Sequence, residues 1–237
     1  MTFTSYTHQV VKEKLSITIQ LYLGGLCVWG LGLVILLIDQ YIAPTGVLTW
    51  VITALFVIGG LLILIAYFYQ FFDYERIEIT NKGSIELTDT ELILDHKKRI
   101  QYSDIIQFSV ACVAYYNQNI NLGYRTPNER HSLGLTNTLK MATAQDTIEL
   151  HFKLENKAHQ QKLEKCILTL VIDGKFEQLG GKTTIKLIPK QFKNTDAYKD
   201  YVIKQIVEKR INCTEGLLLH GYSSDREATL LREKYCG

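Results

Sequence analysis

The stretch LSITIQLYLGGLCVWGLGLVILLI, Leu15–Ile38, decides the fold class, because it contains no charged side chain. A second such stretch follows one short turn later, since no charge recurs between Asp39 and Asp73. Each run exceeds the roughly 20 residues needed to cross a hydrocarbon layer about 30 Å thick. Only helices and closed barrels satisfy their own backbone in lipid. The pattern therefore predicts a transmembrane hairpin over 15–72, with helices over 15–38 and 47–70. The first run is too long for the apolar core of a secretory signal, and no small-residue cleavage site follows it. With a second span coming at once, it reads as a retained helix.

Charge placement sets the orientation. Up to residue 72 the charged residues are Lys12, Glu13, Lys14 and Asp39. The joining segment Asp39–Gly46 has no Lys or Arg, whereas Lys12 and Lys14 precede the first span and Arg76 and Lys82 follow the second. The positive-inside rule places both termini in the cytoplasm. Tyr41 and Trp50 then mark the outer interface, and Tyr67, Phe68, Tyr69, Phe71, Phe72 and Tyr74 form an aromatic belt at the inner one. Neither span carries an ionisable residue, which argues against an ion or proton path through them. Gly24 and Gly25 in the first span and Gly59 and Gly60 in the second are candidates for close helix packing, with Gly25 and Gly60 at nearly equal depth. The same glycines suit a docking face for another membrane protein or a second copy.

The net charge of +2 is too small for a nucleic-acid-binding face. The five cysteines (Cys27, Cys112, Cys166, Cys213 and Cys236) never form a Cys-x-x-Cys pair and read as free thiols in a reducing compartment. The histidines do not converge with metal-ligand spacing, and no cofactor is expected.

After residue 72 the periodicity shortens. Arg76–Thr80, Ser84–Leu87, Glu91–Leu94, Arg99–Tyr102 and Ile105–Val113 read as strands, with turns at Asn81-Lys82-Gly83 and Thr88-Asp89-Thr90. Further strands are expected over Leu139–Thr143, Thr147–Leu154 and Lys182–Ile188. Helices are expected from Asn156, from a cap at Asn194 or Thr195, and from the capping box Ser224-Asp225-Arg226-Glu227. Gly180-Gly181-Lys182-Thr183-Thr184 lacks phosphate-loop spacing and reads as a turn before a strand.

The run SIELTDTELILDHKKRIQYSDIIQFSV (Ser84–Val110) resembles the start of bacterial pleckstrin-homology-like (PH-like) domains. The features carrying the resemblance are the Leu87-Thr88-Asp89 turn, the basic turn Lys97-Lys98-Arg99 and the Asp104-Ile105 pair leading into a longer strand. Many such proteins carry the domain directly behind a transmembrane hairpin. The resemblance implies a small antiparallel sheet closed by a helix, here the one after Asn156, and it leaves residues 172–237 unexplained. Fold of this kind does not fix function.

The basic turn Lys97, Lys98 and Arg99 is a candidate lipid-headgroup contact, since a tethered domain stays near an anionic leaflet. Such a turn also fits a plain solvated loop. The polar segment Asn117–Asn137, with Arg125 and Arg130, is long enough to be a partner-contact loop or a surface excursion. The C-terminal stretch Glu215–Gly237 mixes leucines with charges and suits packing on the domain, a partner or the membrane surface.

The resulting expectation is an α+β membrane protein. A cytoplasmic N-terminal segment (1–14) precedes the hairpin (15–72), a PH-like antiparallel β domain (73–171) and a C-terminal α/β extension (172–237). Its expected setting is a bacterial inner (cytoplasmic) membrane. Its expected role is non-catalytic: an adaptor engaging the lipid bilayer and another membrane-associated protein, or itself. An immunity protein neutralising a membrane-targeted toxin would read the same way. A small membrane hydrolase or transferase is the enzymatic alternative.

Overall fold

The computed structural model describes residues 2–41, 49–121 and 126–236. They group into two compact units, one of residues 1–9, 81–113 and 136–237, the other of residues 10–80 and 114–135.

The second of these holds two helices, α1 (Ile17–Tyr41) and α2 (Thr49–Tyr69), both long and apolar enough to cross a membrane. Their buried positions are Thr18, Gly25 and Gly32 on α1 and Ile52, Gly59 and Ala66 on α2. Every member of each set lies seven residues from the next. A seven-residue repeat keeps one narrow seam turned toward a partner helix, and small residues along it let the backbones approach. Gly25 faces Gly59 rather than Gly60: a Cβ on either would lie 2.9 Å from the other's carbonyl oxygen. Depth alone could not separate two adjacent glycines, because rotation about the helix axis decides which one meets the neighbour. Gly24 and Gly30 have no side-chain or backbone neighbour within 4 Å of such a Cβ.

In the other unit lies most of a seven-stranded antiparallel sheet of order β4-β3-β2-β1-β7-β6-β5. Its strands are β1 (Phe3–Lys14), β2 (Arg76–Leu87), β3 (Glu91–Leu94), β4 (Lys98–Gln101), β5 (Ile105–Ala111), β6 (Asn137–Thr143) and β7 (Thr147–Phe152). Strand alternation turns Ile85, Leu87, Leu92, Ile100, Ile105, Phe108, Leu139, Met141 and Phe152 into the core. Register pairs such as Ile85 with Leu94 and Phe108 with Met141 place like side chains opposite one another.

The helices of this unit are α3 (Lys157–Ile172), α4 (Gly181–Leu187), α5 (Asp196–Val207), α6 (Cys213–His220) and α7 (Asp225–Tyr235). Asn156, Thr195 and Ser224 cap α3, α5 and α7 by accepting backbone N–H bonds from His159, Tyr198 and Glu227. α3 buries Leu163, Cys166, Ile167, Leu170 and Val171.

Four expectations are corrected here. Residues 3–14, taken as a plain N-terminal segment, form β1. Its inward residues near the start are Phe3, Ser5 and Thr7, so small polar side chains disguise the alternation. The Asn81-Lys82-Gly83 triplet does not turn but runs on inside β2. Gly83 takes φ +150, where a Cβ would strike the Asp95 carboxylate, and that carboxylate accepts the Ser84 N–H at 2.9 Å. Lys182–Ile188 is not a strand but largely the helix α4. Its β-branched Thr183, Thr184 and Ile185 favour a strand locally, yet burial of Thr184 and Ile185 holds the helix in place.

The fourth correction concerns the cysteines. Cys213 and Cys236 are disulfide-bonded, with Cα atoms 5.8 Å apart across a sequence separation of 23. Two short helices bring their ends together, which spacing along the chain does not reveal. Cys27, Cys112 and Cys166 take part in no disulfide. Burial, and then the Glu164 carboxylate, push the Cys112 thiol up to about 12. Burial pushes Cys166 up to about 11. Because the thiolate is the reactive form, both cysteines are expected to resist iodoacetamide at pH 8 in the folded protein. Mass spectrometry should find both alkylated once the chain is unfolded, and their prompt labelling beforehand would refute the burial.

Candidate functional site

The segment beyond the end of α2 folds back on the start of α1. Ser16 is buried and its hydroxyl accepts the Ile19 N–H at 3.3 Å, capping α1 from within. A second acceptor comes from afar: the buried Asp73 carboxylate takes the Thr18 N–H at 2.7 Å. A carboxylate there complements both the orphan donors and the positive end of the helix dipole. Its other oxygen accepts the Tyr74 N–H at 3.1 Å. One side chain thus ties the entry of the helical pair to its exit.

The described part of the polar loop completes this arrangement as a collar. The Asp73 carbonyl accepts the N–H groups of Arg130 (3.3 Å) and His131 (3.1 Å), and the His131 carbonyl accepts the Glu75 N–H at 3.0 Å. Glu75 accepts the Ser132 hydroxyl at 2.8 Å and the Leu133 N–H at 3.0 Å. The His131 Nε2 lies 2.9 Å from the Phe71 carbonyl and so serves as donor. Within the loop, Asn117 donates to the Ser132 carbonyl at 2.8 Å and Ile120 to the Arg130 carbonyl at 2.9 Å. The Tyr74 hydroxyl donates to Asn117 Oδ1 at 2.8 Å, and its ring stacks on Tyr116 at 5.8 Å. Loss of water contact, and then the Tyr116 hydroxyl, raise the pKa of Tyr74 and keep it a donor.

Arg130, expected to project toward a partner, is only 7% exposed, and its guanidinium lies 4.0 Å above the Phe71 ring. That is a cation–π contact, strengthened where water is excluded. Arg125 lies outside the described residues. The collar unit instead exposes Phe68, Phe71, Phe72, Tyr116 and Ile120, together with the polar Asn117 and Asn119.

The basic turn lies in the other unit. Lys98 pairs with Asp146 at 2.8 Å and Arg99 with Glu91 at 3.2 Å, while Lys97 is exposed. Lys98, Arg99, Asp104 and Asp146 line an open cleft of about 290 Å³. Carboxylates share this cleft with the cations, so it is not a purely basic anion cradle. Exposed pairs of this sort contribute at most about 1 kcal/mol. The helix glycines divide: Gly25 and Gly59 are consumed in the α1–α2 seam, and Gly24 and Gly60 stand outside it.

Sequence reasoning missed Asp73, Glu75, His131 and Ser132. The one available signal was a carboxylate directly behind an apolar run, matched by a serine directly before the other. Compared with known proteins, the chain matches no family model, no curated protein and no solved structure.

Proposed function

We propose that this chain is a non-catalytic binding protein of a bacterial cytoplasmic membrane, spanning it twice with both termini inside. It would engage a membrane-associated partner through the collar and the β domain. The observation that carries this reading is the collar itself. A long polar loop is held by backbone bonds and by the half-buried Glu75 carboxylate at the foot of two apolar helices, and its unit leaves Phe68, Phe72, Tyr116 and Ile120 exposed. Aromatic side chains are favoured both at protein interfaces and at the membrane–water boundary.

The β domain is read as PH-like. Its support is the strand order, with β1–β4 on one side and β5–β7 on the other, and a helix directly after the last strand. The turn Lys97-Lys98-Arg99 remains the second contact candidate, for headgroups or for a partner.

The test is purification of the tagged full-length protein from its native host in a gentle detergent, with mass spectrometry of what accompanies it. A stoichiometric membrane protein lost on Tyr116→Ala and Ile120→Ala, with the fold kept, is the expected result. If the accompanying protein is unaffected by these changes, the collar is not the contact. If only homo-oligomer or lipid is recovered, the adaptor reading fails.

A further inference from the structure

The last helix is held down by little apart from a covalent bond. No residue of α7 is buried. Its cap is internal: Ser224 accepts the Glu227 N–H, and Glu227 accepts from the Ser223 N–H at 2.7 Å and hydroxyl at 2.6 Å. A side-chain bond from it to α6 runs from Arg232 to Thr214 at 3.4 Å. Open clefts flank it. One of about 450 Å³ is lined by Leu217, Leu218, Tyr222 and Ala228, and another of about 760 Å³ by Ile206, Arg210, Tyr235 and the two bonded cysteines. The helix is therefore poorly sealed against its support, and the Cys213–Cys236 bond fastens its far end to the first residue of α6.

We propose that Cys213–Cys236 is a reversible disulfide latch whose reduction by a dithiol frees α7 from α6. Both cysteines are half-buried and line an open cleft, which gives a reductant a path to the bond. In the reaction, a thiolate of the dithiol attacks the Cys236 sulfur, the S–S bond breaks, and Cys213 leaves as a thiolate that takes up a proton. The second thiol of the reductant then attacks the mixed disulfide and releases Cys236. Two electrons and two protons pass to the protein, and the reductant ends as its own disulfide. Cys213 is the better leaving group because it opens α6, whereas Cys236 follows the C-terminal end of α7. A helix N-terminus favours a thiolate. Release opens the cleft over the buried Leu217, beside the already exposed Leu218 and Tyr222, and frees a helix that carries Leu230 and Leu231 on a charged body.

The test is hydrogen exchange of full-length protein in detergent, with residues 225–235 followed by mass spectrometry before and after dithiothreitol. Exchange in α7 should rise at least tenfold on reduction. Cys213→Ser should show the fast rate with or without reductant, while Cys166→Ser should behave like the parent. Equal exchange in oxidised and reduced protein would overturn the latch. So would iodoacetamide labelling of both Cys213 and Cys236 in protein first treated with an oxidised dithiol.

Discussion

Replacing Gly59 with leucine should lower the stability of the helical pair by about 3 kcal/mol. A Cβ at this position already lies 2.9 Å from the Gly25 carbonyl oxygen and runs into the Trp29 ring, so the clash begins with the first added carbon. Relief requires the helices to separate or Trp29 to leave the seam, where its indole N–H donates to the Phe56 carbonyl at 2.8 Å. Gly25→Leu should act the same way, against Ile63 and the Gly59 carbonyl. The control is Gly24→Leu, one residue away, which meets open space and should cost no more than about 0.5 kcal/mol. Detergent-titrated unfolding of the full-length protein carrying Trp50→Phe, so that fluorescence reports Trp29 alone, measures all three. Equal losses at residues 24 and 59 would show that the seam is misplaced.

Asp73→Ala should cost about 3 kcal/mol, more than any surface carboxylate here. It strips a charge-assisted acceptor from the Thr18 N–H and leaves that buried donor without its carboxylate. The damage should be local at first. Amide exchange at residues 17–20 should accelerate strongly, and the loop around Arg130–Ser132 should loosen because its anchor at residue 73 has moved. Asp73→Asn keeps an oxygen in place and should recover most of the loss, which distinguishes a hydrogen-bonding role from a purely electrostatic one. If Asp73→Ala leaves exchange at Thr18 unchanged, the carboxylate does not hold the helix start.

How far the sequence reveals these features depends on whether the signal is local. The two apolar helices are legible because their length and lack of charge are contiguous. The starts of α3, α5 and α7 are legible because Asn156, Thr195 and Ser224 sit one short step from the donors they satisfy. The collar is not, because Asp73 meets Thr18, and Glu75 meets Ser132, across 55 and 57 residues. β1 is hidden because Ser5 and Thr7 occupy core positions without an apolar signature, their burial supported by contacts such as the Ser5 hydroxyl to the Lys153 carbonyl at 2.5 Å. α4 is hidden because its β-branched residues vote for the wrong structure, and only its surroundings outweigh them. Of the five cations singled out, Lys97, Lys98 and Arg99 are exposed and Arg130 turns inward. Arginine serves both ends equally well, since its planar head stacks on an aromatic ring as readily as it meets an anion.

The position of β1 in the sheet bears on how the protein is made. It leaves the ribosome before both of its sheet neighbours, β2 and β7. Between β1 and β2 the translation machinery must deliver residues 15–75, including both apolar helices, and β7 emerges only after another sixty or so residues. Until β2 emerges this strand has neither edge covered, and the edge meant for β7 stays open longer still, a condition that invites mispairing. Its outer face and far end carry Thr4, Gln9, Lys12, Glu13 and Lys14 beside the exposed Tyr6 and Val11, a largely polar coat that keeps a waiting strand soluble. The order of synthesis thus gives those side chains a task during assembly, before Lys14 takes up its ion pair with Glu78 in the closed sheet.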